Sequence, residues 1–186
     1  MSIYTKSGDK GKTGLLFGGE ISKSDIICEA YGTIDQAVSV MGIAKASTED
    51  KVVINLLSDI QKDLFIVSAE LATDKSNYNK LKKHYDIVTE NMVYKIEKNI
   101  DQLLEEFELP NDFILPGTSI ISATIDFSRT IIRTSERRVV ELKESGRLIN
   151  TQLLVFLNRV SDLLFVLGRY HDRNQTFELA TKWKFE

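Results

Sequence analysis

The arginines of this chain are concentrated in its last third, and four of them lie within ten residues. No arginine precedes Arg129, and Arg133, Arg137 and Arg138 follow it closely. On a helix, Arg129, Arg133 and Arg137 would share one face with Glu136. The planar fork of a guanidinium matches two oxygens of a carboxylate or a phosphate. The stripe therefore predicts either salt bridges between packed helices or a site for a polyphosphate or a partner subunit's carboxylates.

A second polar stripe lies closer to the carboxyl end, where Asn158, Asp162, Phe165 and Arg169 recur at helical spacing. The amide of Asn158 can bind a ribose or phosphate oxygen. The carboxylate of Asp162 can orient an arginine or help to hold a magnesium ion. Salt bridges between helices account for any one of these residues, but they account less well for the whole set.

Glycines set the amino-terminal region apart from the rest. Half of the ten glycines lie in the first 24 residues, and residues 5–14 read TKSGDKGKTG. Glycines let successive backbone amides face one concavity, and lysines add charge for phosphate. The spacing is not that of a Walker A loop, and no strand–helix–strand pattern surrounds it. The alternative is a flexible start without a binding role.

The composition is that of one globular domain. Of the 186 residues, 42% are hydrophobic and 27% are charged, and the formal net charge is -3. This charge argues against a general nucleic-acid binder. The single cysteine, Cys28, excludes an internal disulfide and a multi-cysteine metal site. No apolar stretch is long enough to span a membrane and no signal peptide opens the chain, so we expect a cytoplasmic protein.

The elements that must position these side chains are predicted to be helices. The chain has only two prolines and is rich in Leu, Ile, Lys and Glu. Periodicity predicts a single-domain, all-α bundle of five helices, at about 24–46, 50–72, 88–107, 117–144 and 150–172. Residues 73–84 are expected to be an exposed loop, residues 1–24 a glycine-rich loop, and residues 173–186 a carboxyl-terminal arm. Thr118 or Ser119 is expected to cap the fourth helix, and Gly146 to end it.

Five segments together resemble one known family. They read YTKSGDKG from Tyr4, EAYGTID from Glu29, FILPG from Phe113, RTIIRTSERR from Arg129 and FLNRVSD from Phe156. In this order and separation they resemble the ATP:cob(I)alamin adenosyltransferases of the PduO type, over nearly the whole chain. Five motifs in the right order are far more specific than any one of them.

The resemblance implies a five-helix bundle with ferritin-like up-down packing and a phosphate-binding loop at its amino terminus. It implies a homotrimer with active sites between subunits. The implied reaction transfers the 5′-deoxyadenosyl group of ATP to the cobalt of cob(I)alamin, releases tripolyphosphate and uses Mg²⁺. A cobalamin reductase and an adenosylcobalamin-dependent acceptor enzyme are implied partners. The alternative is a trimer that delivers adenosylcobalamin, or senses ATP and cobalamin, without turnover.

The resemblance also assigns roles to particular residues. The nucleotide-binding loop would hold the triphosphate with Thr5, Lys6, Ser7, Gly8, Thr13, Gly14 and Lys23. The last two long helices would complete the ATP site with Arg133, Glu136, Arg137 and Asn158. The implied catalytic residues are Arg129, Arg133, Asp35 and Asp162, with Arg129 pairing with Asp35 of a neighbouring subunit. Phe113 would line the corrin pocket and displace the lower axial ligand of the cobalt.

Four positions depart from the family's pattern. Glu20 stands where an arginine usually follows the glycine pair, and Gln36 stands where a glutamate usually follows Asp35. Thr134 replaces the second residue of an arginine pair, and Thr118 replaces a glycine. Glu20 reverses a charge beside the phosphate loop, so it motivates the alternative without turnover.

Overall fold

The computed structural model describes residue 4 and residues 6–180. Within them the helices are α1 (Ile26–Ala46), α2 (Lys51–Leu71), α3 (Tyr78–His84), α4 (Glu90–Leu104), α5 (Ile120–Glu144) and α6 (Gln152–His171). Two short strands, β1 (Lys12–Gly14) and β2 (Glu20–Ser22), pair antiparallel ahead of α1. The predicted helical bundle is confirmed, and its five long helices are α1, α2, α4, α5 and α6. None of the described helices is long and apolar enough to cross a membrane.

Helix ends coincide with capping residues. The Asp25 carboxylate accepts a hydrogen bond from the Ile27 amide at the start of α1, and Asp50 caps α2 in the same way. Of the two candidate caps of α5, Ser119 is the one used, in a capping box with Ser122. Gly146, with φ of 72°, follows the end of α5 in the left-handed region, as predicted.

The long helix α5 lies between α1 and α6. Ile125, Ile132 and Val139 recur at intervals of seven residues along α5 and are fully buried. On the α1 side, the Ser135 hydroxyl donates to the Ala30 carbonyl at 3.0 Å. On the α6 side, Gly168 faces Ser122 and Ile125, and a Cβ there would be in ordinary van der Waals contact with the Ser122 carbonyl oxygen at 3.6 Å. This packing fixes the direction in which each polar residue of α5 points.

The prediction of a loop was wrong for part of two segments. Residues 75–84 form a 3₁₀ turn and α3, because Leu81 is fully buried and anchors the lysine-rich segment to the bundle. The glycine-rich region contains the β1–β2 hairpin, which the sequence pattern did not indicate. The hairpin docks through Leu16, whose amide donates to the Ala72 carbonyl at 2.8 Å at the end of α2. Gly18 and Gly19 have positive φ and make its turn.

The segment near the carboxyl end runs antiparallel to the connector before α5. The Leu115 amide donates to the backbone carbonyl of Glu178, and the Ala180 amide donates to the backbone carbonyl of Phe113, each at 2.8 Å. Phe113 and its neighbours are therefore held by backbone pairing. The remainder of the predicted arm, residues 181–186, lies outside the described residues.

A buried carboxylate joins several elements at the end of the bundle where the hairpin docks. Glu70 of α2 is 3% exposed. Its side chain accepts hydrogen bonds from the Tyr78 hydroxyl at 2.8 Å, the Asn150 amide at 3.0 Å and the Val88 backbone amide. The carboxylate thus ties α2 to α3, to the connector before α4 and to the connector before α6.

Replacement of this carboxylate is expected to be costly. Glu70→Ala should lower the free energy of unfolding by about 3 kcal/mol, because it leaves several donors without an acceptor. Urea unfolding followed by circular dichroism measures the loss. Glu49→Ala, at an exposed position, is the control and should change stability by less than about 0.5 kcal/mol. Equal effects of the two substitutions would show that Glu70 does not join these elements.

Candidate functional site

Two arginines of the α5 stripe lack an acidic partner within the described part of the chain. Arg133 donates to the Ser161 hydroxyl at 3.4 Å, and Arg137 donates to the Thr134 hydroxyl at 2.9 Å. Both side chains are exposed. The other arginines all contact carboxylates and are Arg129, Arg138, Arg147, Arg159, Arg169 and Arg173. Arg133 and Arg137 are therefore the cations of α5 that are available to an added anion.

The α6 stripe completes this surface only in part. Asn158 is exposed, and Arg133 reaches α6 through Ser161. Asp162 receives a hydrogen bond from Arg159 at 2.7 Å, and Arg159 also contacts Glu97 at 3.1 Å. Within one chain, Asp162 thus pairs with an arginine of its own helix and not with the α5 stripe.

The amino-terminal segment brings three predicted phosphate ligands together. Lys6 has a φ of 60° and precedes a 3₁₀ turn that spans Ser7–Lys10. The Lys23 ammonium lies over this turn, and a Cβ on Gly8 would be 2.9 Å from its Nζ. Lys6, Gly8 and Lys23 therefore form one basic surface at this turn. Thr5 and the side chain of Ser7 lie outside the described residues.

A tyrosine that sequence reasoning missed fixes the hairpin to α1. The Tyr31 hydroxyl donates to Cys28 Sγ at 3.1 Å and also hydrogen-bonds the side chain of Thr13 in β1. Burial, together with the neighbouring Cys28 thiol, raises the pKa of Tyr31 to about 12, so the hydroxyl stays protonated as a donor. Gly14, the other predicted ligand of β1, is exposed. The EAYGTID motif contained Tyr31, but nothing in its spacing indicated the contact with Thr13.

Glu20, the departure that reverses a charge, has a partner in the hairpin. Its carboxylate contacts Lys12 Nζ across the two strands at 3.1 Å, and both side chains are more than half exposed. An exposed pair of this kind contributes little stability. It does offset one lysine of the glycine-rich segment, while Lys6 and Lys23 form no ion pair with any described acid.

The Lys6–Lys23 surface and Arg133 lie on different sides of α5, and Arg137, which donates to Thr134, lies between them. Lys23 shares a groove of about 540 Å³ with Gln36 of α1 and Thr134 of α5. Arg133 instead points toward α6. Among the residues described, no hydrogen bond or ion pair joins the Lys6–Lys23 surface to Arg133, Arg137 or Asn158. Within one chain, Lys23 and Arg133 therefore do not face the same groove.

Phe113 is the most exposed large apolar side chain of the described residues. It is 88% exposed, although the backbone around it is held by pairing with residues 178–180. It lines a pocket of about 510 Å³ together with Arg129 and Phe165. A fixed, exposed aromatic ring beside a pocket is typical of a binding surface.

Arg129 lies in this pocket and not among the free cations. Its Nε donates to Asp126 at 3.1 Å, and its guanidinium lies 6.0 Å from the Phe165 ring centre. Asp35 is exposed on α1 and forms no hydrogen bond or ion pair with the described residues. The predicted pair of Arg129 and Asp35 is thus not formed within one chain. Sequence analysis missed Asp126, whose spacing of three residues from Arg129 was a usable signal.

Comparison with known proteins gives a consistent result. The Cobalamin adenosyltransferase family profile matches residues 3–171. A Corrinoid adenosyltransferase of Citrobacter freundii is 34% identical over 170 residues, covering 91% of this chain and 94% of that protein. A Corrinoid adenosyltransferase of Bacillus subtilis is 38% identical over 176 residues, covering 91% of this chain and 86% of that protein.

A solved structure agrees in fold over the same length. It is a variant of a PduO-type ATP:corrinoid adenosyltransferase from Lactobacillus reuteri, complexed with cobalamin and ATP. Its TM-score is 0.88 at 31% identity, and the match covers 97% of each chain. The present chain belongs to the cobalamin adenosyltransferase family. The family resemblance drawn from the five motifs is confirmed.

Replacement of a free arginine and of a paired arginine should change the free energy of unfolding by different amounts. Arg133→Ala should change the free energy of unfolding by less than about 0.5 kcal/mol, because it removes no ion pair. Arg169→Ala should cost about 3 kcal/mol, because Asp126 is then buried without its cation from α6. Urea unfolding of both variants tests this. A loss for Arg133→Ala as large as that for Arg169→Ala would mean that Arg133 is structural.

Proposed function

We propose that this protein transfers the 5′-deoxyadenosyl group of ATP to the cobalt of cob(I)alamin and releases tripolyphosphate. One observation carries the proposal. Arg129 lies in the Phe113 pocket, and the free cation Arg133 follows one helical turn later, about 6 Å along the axis. A corrinoid at the pocket and a triphosphate on the stripe would therefore be neighbours. The relative from Lactobacillus reuteri was solved with both cobalamin and ATP.

The chemistry requires positioning and charge stabilisation more than proton transfer. The cobalt of the substrate attacks carbon-5′, the bond from carbon-5′ to the ester oxygen breaks, and its electron pair leaves with the triphosphate. The reduced cobalt is already a strong nucleophile, so no side-chain base is needed. Arg133, Arg137, Lys6 and Lys23 would stabilise the negative charge that develops on the leaving group. Holding the reacting atoms in line supplies the rest of the acceleration.

Phe113 is suited to the corrin side of the reaction. Its ring is exposed and its backbone is pinned, so it can enter the space below a bound corrin without a change of fold. An apolar ring there offers no electron pair to the metal. It would displace the lower axial ligand and so ease the reduction that precedes transfer.

The residues fit magnesium only as an ion that accompanies the nucleotide. Among those described, no group of three or more His, Cys, Asp or Glu side chains could hold a metal ion. Protein-bound Mg²⁺ often keeps several waters and is held by one or two carboxylates and substrate phosphates. Glu136 is the carboxylate on the arginine stripe that would meet such an ion. When bound, the ion would neutralise charge on the triphosphate.

We further propose that the active site forms between subunits of a homotrimer. The separation of the Lys6–Lys23 surface from Arg133 by α5 supports this, because a neighbour could bring its loop to the α6 side of the first chain. Asp35, exposed and without a described partner, would then meet Arg129 of the neighbour. The reductase, the acceptor enzyme and the cytoplasmic location stay predictions from the sequence.

The ATP site can be tested by one substitution and a control on the same helix. Arg133→Ala should lower turnover about 10²- to 10³-fold, because a cation facing the leaving group is lost. The assay is anaerobic and follows conversion of cob(I)alamin to light-sensitive adenosylcobalamin with ATP and Mg²⁺. Arg138→Ala, which removes an exposed arginine paired with Glu29 and Glu141, should keep most activity. Unchanged turnover in Arg133→Ala would rule out the assigned ATP site.

Sites between subunits can be tested by mixing two defective variants. Lys23→Ala damages the loop half, and Arg133→Ala damages the helix half. In randomly mixed trimers about a quarter of the interfaces would combine two intact halves. Co-expressed variants should therefore recover activity to about that fraction, whereas mixtures of unexchanged trimers should not. No recovery in proven mixed trimers would place the site within one chain.

One observation favours the alternative of a delivery or sensing trimer. The Glu20–Lys12 pair adds a carboxylate to the loop that would hold the triphosphate. If this carboxylate abolishes productive ATP binding, the anaerobic assay will show bound corrinoid and no ATP-dependent alkylation. ATP-dependent alkylation would exclude the alternative.

A further inference from the structure

A single buried carboxylate connects two guanidiniums at the Phe113 pocket. Asp126 of α5 is 3% exposed, and its Oδ1 accepts from Arg129 Nε at 3.1 Å. Its Oδ2 accepts from Arg169 Nη2 of α6. The Phe165 ring lies close to both cations, 6.0 Å from Arg129 and 5.1 Å from Arg169. The four side chains form one cluster, which we call the Asp126 cluster.

The two arginines of the Asp126 cluster depend on the carboxylate differently. Arg169 is 2% exposed, so it requires a counterion to remain charged inside the bundle. The side chain of Arg129 is 24% exposed, so water could hydrate its charge. The contact from Asp126 to Arg129 is therefore not needed to stabilise a buried charge. Its effect is geometric, because it holds the Nε edge while Phe165 holds the plane of the guanidinium.

We infer that Asp126 is a positioning residue for Arg129. Because the Nε edge is held, only the terminal Nη atoms of Arg129 are available to the pocket. Phe113 lines the same pocket. No acceptor in the described part of the chain contacts those atoms. Within the Asp126 cluster, one carboxylate between two guanidiniums leaves one positive charge in surplus, and the pocket itself also contains Asp112. Arg129 would thus present a fixed, charged edge to an oxygen acceptor, either a corrinoid side-chain amide or the Asp35 carboxylate of a neighbouring subunit.

This inference rests on the proposed function, since it takes the pocket to be the corrinoid site. Asp126→Asn tests it with little change of shape. The amide has a single acceptor oxygen, and the buried Arg169 should take it because its need for a partner is greater. The amide nitrogen then faces Arg129 Nε, so two donors meet and Arg129 is released. The Michaelis constant for the corrinoid should rise about tenfold, the equivalent of one charged hydrogen bond, while that for ATP stays unchanged.

Asp172→Asn is the matched control. Asp172 is fully buried directly after α6 and pairs with His171 at 2.9 Å, but it does not touch Arg129. Asp172→Asn should lower the free energy of unfolding. It should not raise the Michaelis constant for the corrinoid relative to that for ATP. A merely structural Asp126 would behave in the same way, and that result would overturn the inference. If Asp126→Asn does not fold, Phe165→Leu is the second variant, because it loosens the same guanidinium. It should also raise only the Michaelis constant for the corrinoid. An unchanged constant for the corrinoid in Phe165→Leu would overturn the inference too.

A second readout does not depend on activity. In spectra of protein labelled with ¹⁵N-arginine, the Arg129 Nε–Hε signal, assigned by its loss in Arg129→Lys, should exchange slowly with water. Asp126→Asn should remove that protection, whereas Asp172→Asn should not. Persistence of the signal in Asp126→Asn would overturn the inference even in an active enzyme. An inactive wild type with a protected signal would instead refute the proposed function and leave the positioning intact.

The acceptor for Arg129 can be distinguished by Asp35→Asn. If the neighbour's carboxylate is the acceptor, Asp35→Asn should raise the corrinoid Michaelis constant as much as Asp126→Asn does, and the double variant should add nothing. If the corrinoid itself is the acceptor, the two effects should add. A double variant without any effect on the corrinoid constant would contradict the positioning role.

Discussion

The packing of α5 between α1 and α6 determines the place of the candidate arginines. Ile125, Ile132 and Val139 are fully buried along one line of this helix. Once that line is buried, the helical repeat leaves no freedom in where Arg129, Arg133 and Arg137 project. The positions of these arginines are thus a consequence of hydrophobic packing. Their charges do not stabilise that packing.

The same helix packing explains why the arginines of α5 have different partners. Arg129 has a carboxylate three residues before it, whereas Arg133 has a serine, Ser161, across the helix interface. Near α6, the buried carboxylate of Asp126 lies between the guanidiniums of Arg129 and Arg169. At Arg133 the surface is open, so its charge is hydrated and available. An enzyme that stabilises a leaving triphosphate needs cations of the second kind, because a guanidinium already neutralised has less to offer.

Sequence reasoning found the helices because their apolar periods are long and regular. It missed α3 because a single buried residue, Leu81, anchors a segment that otherwise reads as a charged loop. It missed the hairpin because β1 and β2 have three residues each, too few for an alternating pattern to be recognised. The arginine stripe was found as a set, but the link from Asp126 of α5 to Arg169 of α6 joins residues that are 43 positions apart. Pairing over such distances cannot be read from spacing.

The separation of Lys23 from Arg133 by α5 has a consequence for how the two substrates could be coupled. In the proposed trimer, the loop of one chain and Arg133 of its neighbour would bind one triphosphate together. The contact that brings them together would also place an acidic residue, Asp35, near the pocket of the other chain. ATP binding would then order the surface that receives the corrinoid, with no moving domain inside either chain. Coupling of this kind would be a property of the subunit interface.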